Sequence, residues 1–160
     1  MTSTAPNLNI HQCIADHLGT VFDTMLSMTL TPASDPVPPH PAERVTGTIG
    51  FGGETVTGSL YLHLSAEFAR QVTTAMLGMT PEEVPGHQEV NDVVGELSNM
   101  VAGHLKSALC DAGATCAVSA PGIIRGTAFE IETLPDVTQE LIAFDCQHQR
   151  VVVELHIKFN

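Results

Sequence analysis

Two carboxylates and a carboxamide stand at Asp92, Glu96 and Asn99, spaced Asp-x3-Glu-x2-Asn. At about 100° of rotation per helical residue the three fall within about 60° of one another. Val90, Val94, Leu97, Val101, Leu105 and Ala108 occupy the other side of the same helix as an apolar stripe. Spacing alone describes an ordinary solvated face, because carboxylates at such intervals are common on surface helices. A metal site is the weaker alternative, since no His joins the cluster at helical spacing. His104 sits about 120° round from Asp92, toward the apolar edge, where a packed side chain is expected. The glycines point the other way. Gly103 shares the polar side and Gly95 flanks it, each costing about 1 kcal/mol relative to Ala inside a helix. That cost fits an outward face against which something packs flat.

The helix that carries these groups runs from His87 to about Leu109 and is ended by Asp111-Ala112-Gly113. Other elements must hold it. Ile10, Ile14, Leu18, Val21, Met25 and Met28 keep one face of a first helix apolar. Thr31–Glu43 contains five prolines (Pro32, Pro36, Pro38, Pro39 and Pro41) and is expected to be an extended loop. From Arg44 to Leu64 the apolar period is two, broken by Gly52-Gly53-Glu54, which predicts a β-hairpin with one buried face. Gly50-x-Gly52-Gly53 lacks the following helix and Lys of a phosphate-binding loop, so a hairpin turn is its reading. Ser65 caps a helix that stops at Gly78, and Thr80-Pro81-Glu82-Glu83 has capping-box chemistry for a short turn. Strand-like runs follow at Thr115–Ser119, Ile123–Glu132, Glu140–Cys146 and Arg150–Phe159. Strands cluster without strand–helix–strand alternation. The expected fold is therefore α+β, with helices packed on a mostly antiparallel sheet. A single domain is expected over residues 1–160, with the proline-rich 31–43 segment as a loop within it.

Composition excludes several partners. Eighteen acidic residues against six basic ones leave a formal charge of −12, which disfavours nucleic acids and anionic membranes, both of which need a basic face. Trp is absent and there is one Tyr, so a base-stacking platform is not expected. Cys13, Cys110, Cys116 and Cys146 show neither CxxC nor zinc-type spacing, and no apolar run is long enough to span a bilayer. A reduced, cytoplasmic protein is the expectation. The eight histidines are read as surface scatter.

The segment Asn91-Asp92-Val93-Val94-Gly95-Glu96-Leu97-Ser98-Asn99-Met100 resembles the signature of the CheC/CheX/FliY chemotaxis phosphatases: Asp or Ser, three residues, Glu, two residues, Asn, then a Pro a little over twenty residues on. Here that Pro is Pro121, followed by Gly122-Ile123-Ile124-Arg125-Gly126. The resemblance extends to the amphipathic first helix, the hairpin and the strand-rich second half. It implies hydrolysis of the aspartyl phosphate of a response-regulator receiver domain, chiefly CheY. On that resemblance Asn99 orients the attacking water, Glu96 pairs with the receiver's active-site Lys, and Asp92 and Pro121 are supporting positions. The resemblance implies no cofactor in this chain, because the receiver carries the divalent metal. It also implies a homodimer joined through the sheets, to which Val151–Phe159 could contribute as an unprotected edge.

One branch of this family carries a second copy of the motif on its first helix. The corresponding stretch here, Asp16 to Asp23, has Thr20 and Asp23 where Glu and Asn would be required, so one active face per chain is expected. The alternative function is a non-catalytic adaptor of the same fold that binds a receiver or a flagellar-switch component. Retention of both Glu96 and Asn99 speaks against it. A sensory ligand-binding domain would need a sizeable apolar pocket, of which the sequence gives no sign.

Overall fold

The computed structural model describes residues 5–34, 43–80 and 82–160. The first helix, α1 (Ile10–Leu26), starts at Asn9, whose side-chain oxygen accepts a hydrogen bond from the Gln12 amide at 3.0 Å. Its buried residues are Ile10, Ile14, Leu18, Val21, Phe22 and Leu26. Met25, expected in this stripe, is 46% exposed. The last turns roll the other way because Phe22 packs on Phe68, with ring centroids 6.4 Å apart.

The proline-rich segment departs from expectation at its start. Thr31–Pro32 forms a short strand, β1, opposite Asp145 and Phe144, and the Ala33 amide donates to the Ala143 carbonyl at 2.9 Å. Pro32 is tolerated there because the strand is at the sheet edge, where a missing N–H breaks no second ladder. Pro36, Pro38, Pro39 and Pro41 lie outside the described residues, as does Pro81.

The hairpin is β2 (Arg44–Gly52) and β3 (Val56–Ser65), paired in register from Arg44↔Ser65 to Gly52↔Thr57. At its turn a Cβ on Gly53 would stand 2.0 Å from the Thr115 carbonyl oxygen, so only glycine admits that approach. Ser65 Oγ accepts from the Phe68 amide at 3.1 Å to start α2 (Ala66–Leu77), and Gly78 closes it with φ +62°. Glu83 Oε1 reaches back to the Thr80 hydroxyl at 3.1 Å. The long helix α3 (His87–Asp111) opens with the Gly86 amide donating to Glu89 Oε1 at 3.0 Å.

Four strands follow: β4 (Ala117–Val118), β5 (Gly122–Gly126), β6 (Thr138–Cys146) and β7 (Gln149–Phe159). The run expected over Ile123–Glu132 ends at Gly126. Beyond it Ala128 takes φ +54° and Phe129 lies against the Arg44 guanidinium, 3.9 Å from ring centroid to carbon, so the chain leaves the ladder and lies over the sheet.

Every strand pair is antiparallel, in the order β1-β6-β7-β3-β2-β4, with β5 also on β2. The α+β architecture is as the pattern required. Two expectations change. The hairpin buries one face along its length, as expected, but at one end it buries the other as well: Arg44, Thr46 and His63 are buried opposite the helices, whereas Thr48, Ser59 and Tyr61 farther along are half-buried. The segment expected as a free edge is instead interior: β7 lies between β6 and β3, and Val151 to Ile157 are all buried. Its continuous burial explains an apolar-rich run in which both alternating faces avoid solvent.

Candidate functional site

On α3 the residues Val90, Val94, Leu97, Val101 and Leu105 are buried, and Ala108 is half-buried. Asp92, Glu96 and Asn99 are exposed on the opposite side. The carboxamide thus stands in solvent, one turn beyond the Glu96 carboxylate. What fixes this rotation is a close approach beneath the helix. A Cβ on Gly47 of β2 would fall 1.9 Å from Ser98 Oγ and 3.3 Å from a Val94 methyl. Ser98 is fully buried, and its hydroxyl donates to the Val94 carbonyl at 2.7 Å. With Ser98 pressed on the sheet, Asn99 is turned about 100° away from the residue beneath it.

Each flank of the polar row is occupied. On one side the Gly95 position lies 3.5 Å from Pro121 Cγ, in van der Waals contact. The opening at Gly95 is thus filled from within the chain, while Gly103 has nothing within 4 Å of its Cβ position. One turn earlier, Arg125 Nη2 of β5 donates to Asn91 Oδ1 at 2.8 Å. On the other side His17 of α1 stacks on His104, with centroids 4.1 Å apart and planes 4° from parallel. His17 Nε2 donates to the Met100 carbonyl at 3.1 Å. Burial, and then the neighbouring His104, push His17 below the ordinary imidazole value, partly offset by that carbonyl. His104 is exposed yet packed through its ring, which is why its angular position fell between the polar and apolar faces.

The equivalent surface of α1 is built differently. Thr20 Oγ1 donates to the Asp16 carbonyl at 3.0 Å and Thr24 Oγ1 to the Thr20 carbonyl at 2.7 Å. These hydroxyls are spent on their own helix.

A second polar cluster was not legible beforehand, because its members come from five positions on four strands, on the sheet face away from the helices. His63 Nε2 meets Glu154 Oε1 at 2.9 Å, and His156 Nε2 meets Glu154 Oε2 at 2.6 Å. Gln139 Nε2 donates to the same Oε2 at 3.0 Å. Thr46 Oγ1 lies 2.8 Å from His63 Nδ1. An ionised Glu154 only accepts, so His63 carries its proton on Nε2 and accepts from Thr46 at Nδ1. Burial pushes His63 down, and its hydrogen bond to Glu154 opposes this. For Glu154, burial acts upward, but hydrogen bonds from His63, His156 and Gln139 outweigh it and hold the carboxyl at about 2. Thr46, His63 and Glu154 have the connectivity of a hydrolytic triad, but at 0%, 1% and 5% exposure they admit no substrate. The histidines are therefore not all surface scatter. Beside this cluster is a cleft of about 500 Å³ walled by Arg44, Phe129, Glu130, Gln139 and Glu154, not the apolar pocket that a sensory domain would need. Among the described residues no group of three His, Cys, Asp or Glu side chains is placed to hold a metal ion, and no helix is long and apolar enough to cross a membrane.

Residues 45–145 match the family model described as chemotaxis phosphatase CheX. No curated protein matches at the level of sequence. Among solved structures, the chain is similar to the chemotaxis protein CheX from Vibrio vulnificus, with TM-score 0.81 and 24% identity over 97% of this chain and 100% of that one. A CheC-like superfamily protein from Shewanella sp. PV-4 superposes with TM-score 0.79 at 27% identity, covering 95% of this chain and 99% of that one. CheX in a CheX–CheY–BeF3–Mg complex from Borrelia burgdorferi gives TM-score 0.73 at 18% identity, covering 95% and 99%.

Proposed function

The chain belongs to the CheC/CheX/FliY family of chemotaxis phosphatases, and from that premise we propose that it hydrolyses the aspartyl phosphate of a CheY-like receiver domain, with Asn99 and Glu96 as the working pair. The observation that carries this reading is the exposed carboxamide of Asn99, one turn from an exposed Glu96, on a helix whose rotation is fixed by buried packing. Family-level phosphatase function in chemotaxis rests on the family match.

In this mechanism Glu96 pairs with the receiver's active-site Lys and sets the register of docking. The Asn99 amide accepts a hydrogen bond from a water through its oxygen, or donates to it through nitrogen, and holds it in line with phosphorus. The water oxygen attacks phosphorus, the bond to the acyl oxygen breaks, and the aspartate leaves as carboxylate while inorganic phosphate departs. An acyl phosphate has a good leaving group and the receiver supplies its own metal, so positioning is the main demand. A hundredfold acceleration corresponds to about 2.7 kcal/mol, within reach of one well-held amide. Asp92 and Pro121 support this surface, Pro121 by packing at Gly95.

The Borrelia burgdorferi complex, in which a CheX is bound to CheY, supports a receiver as partner. The compartment we assign is the cytoplasm. A sheet-to-sheet homodimer belongs to the same reading and would use an outer strand, β5 or the part of β6 beyond β1, since β7 is interior. The experiment follows loss of radiolabelled phosphate from receivers of the same organism. Wild type shortens the lifetime of the cognate phospho-receiver, whereas Asn99→Ala leaves it at the receiver's own rate and Glu96→Lys loses docking. Equal lifetimes with wild type and Asn99→Ala would reject the assignment, and tight binding without hydrolysis by wild type would favour the adaptor.

A further inference from the structure

We propose that Arg125 is a positioning residue that sets the aim of Asn99 through Asn91; this rests on the assignment of Asn99 as the working amide. Asn91, Gly95 and Asn99 follow one another at intervals of four residues, which places them in a single row along α3. The first two members are fastened. Asn91 Oδ1 accepts from Arg125 Nη2 at 2.8 Å, and the Gly95 position meets Pro121 Cγ at 3.5 Å. The third member is the exposed amide.

Both fasteners come from one short stretch, Pro121 to Arg125, that leads into and forms β5. Arg125 opposes Val45 in the ladder to β2, and so extends from the sheet face that carries the helices. Its side chain is 19% exposed, and its Nη1 lies 3.8 Å from Glu43 Oε1 just before β2. Glu43 is half in solvent, so that ion pair adds little energy. The directional contact is the one to Asn91. A planar guanidinium holds its donors in a fixed fork, and it ties the helix to β5, which is itself paired along β2. The choice of Asn at position 91 is also informative. An amide takes the hydrogen bond without adding another negative charge beside Asp92 and Glu96.

Steady-state hydrolysis of a phosphorylated cognate receiver, with the full chain, tests this. Arg125→Met keeps the aliphatic stem and removes the donors. It is expected to lower kcat about tenfold with KM within twofold, and with an unchanged thermal midpoint. Asn91→Leu is expected to match it, and the double variant to be no slower than either single one, because both remove the same contact. Asn91→Asp keeps the acceptor and is expected to retain kcat within about threefold. Should Arg125→Met unfold, Arg125→Lys with and without Asn91→Asp replaces it, and recovery of kcat by Asn91→Asp is the expected result. Wild-type kcat in Arg125→Met, a change confined to KM, or additive losses in the double variant would overturn the proposal. Asn99→Ala measured alongside separates the two claims. If it is inactive while Arg125→Met is normal, only the positioning role fails; if it is as active as wild type, both fail.

Discussion

An amide and a carboxylate are close in shape and opposite in consequence at position 99. In the proposed mechanism Asn99 would bring both donor and acceptor to the phosphoryl group with no charge, whereas an aspartate there would only accept and would face phosphate oxygens of its own sign. Asn99→Asp is therefore expected to abolish acceleration, a loss of a hundredfold or more, and also to weaken binding to the phospho-receiver about tenfold, which Asn99→Ala should not. Parallel measurements of phosphate lifetime and dissociation constant check this, and a carboxylate variant that binds normally would contradict it. The sequence was informative about this residue because a helical angle needs only the period of the apolar stripe. It was silent about Asn91 and Arg125, 34 residues apart, since no local pattern states which strand an amide will face. His63, Glu154 and His156 were likewise hidden: each reads as an ordinary alternating strand position until the ladders bring them together.

At the level of elements, the height of α3 above the sheet depends on one missing side chain. Gly47 leaves the space that Ser98 occupies. Gly47→Ala should force the helix or β2 to shift and cost about 1–3 kcal/mol by overpacking, and Ser98→Ala in that background should recover part of the loss. Urea unfolding of the three proteins measures it, and a Gly47→Ala protein as stable as wild type would show that the contact yields freely. The helices were readable because caps, periods and terminating glycines agree locally: Ser65 and Gly78 bound α2 as their chemistry requires. Strand order was not readable. The alternation in Val151–Phe159 is the same for an edge as for a centre, and only tertiary pairing shows that both its faces are covered. The Ile123–Glu132 run failed for a related reason. Its apolar content reflects Phe129 and Ile131 lying over a polar sheet face rather than continuing a ladder.

For the molecule as a whole, the buried Glu154 cluster sets its response to acid. Glu154 is held at about 2 against an ordinary 4.5, so its contribution is complete above about 4.5 and is lost as pH falls toward 2. The shift corresponds to a contribution on the order of 3 kcal/mol. His63 acts in the same direction: folding lowers its proton affinity, so below its ordinary value of 6.5 the unfolded chain takes up a proton that the folded one resists. Stability should begin to decline below about pH 6.5 and fall more steeply below about 4.5. Urea midpoints across this range measure the slope. Glu154→Gln should be less stable at neutral pH and show a shallower acid limb; an unchanged limb would remove Glu154 from the account.

The hydroxyls of Thr20 and Thr24, turned back onto their own backbone, also bear on stoichiometry. With nothing on α1 equivalent to Glu96 and Asn99, the proposed function gives each polypeptide one place for a receiver to settle. A calorimetric titration with a beryllofluoride-activated receiver should reach its endpoint at one equivalent per chain, and an endpoint at two would mean that α1 binds by chemistry unlike that of α3.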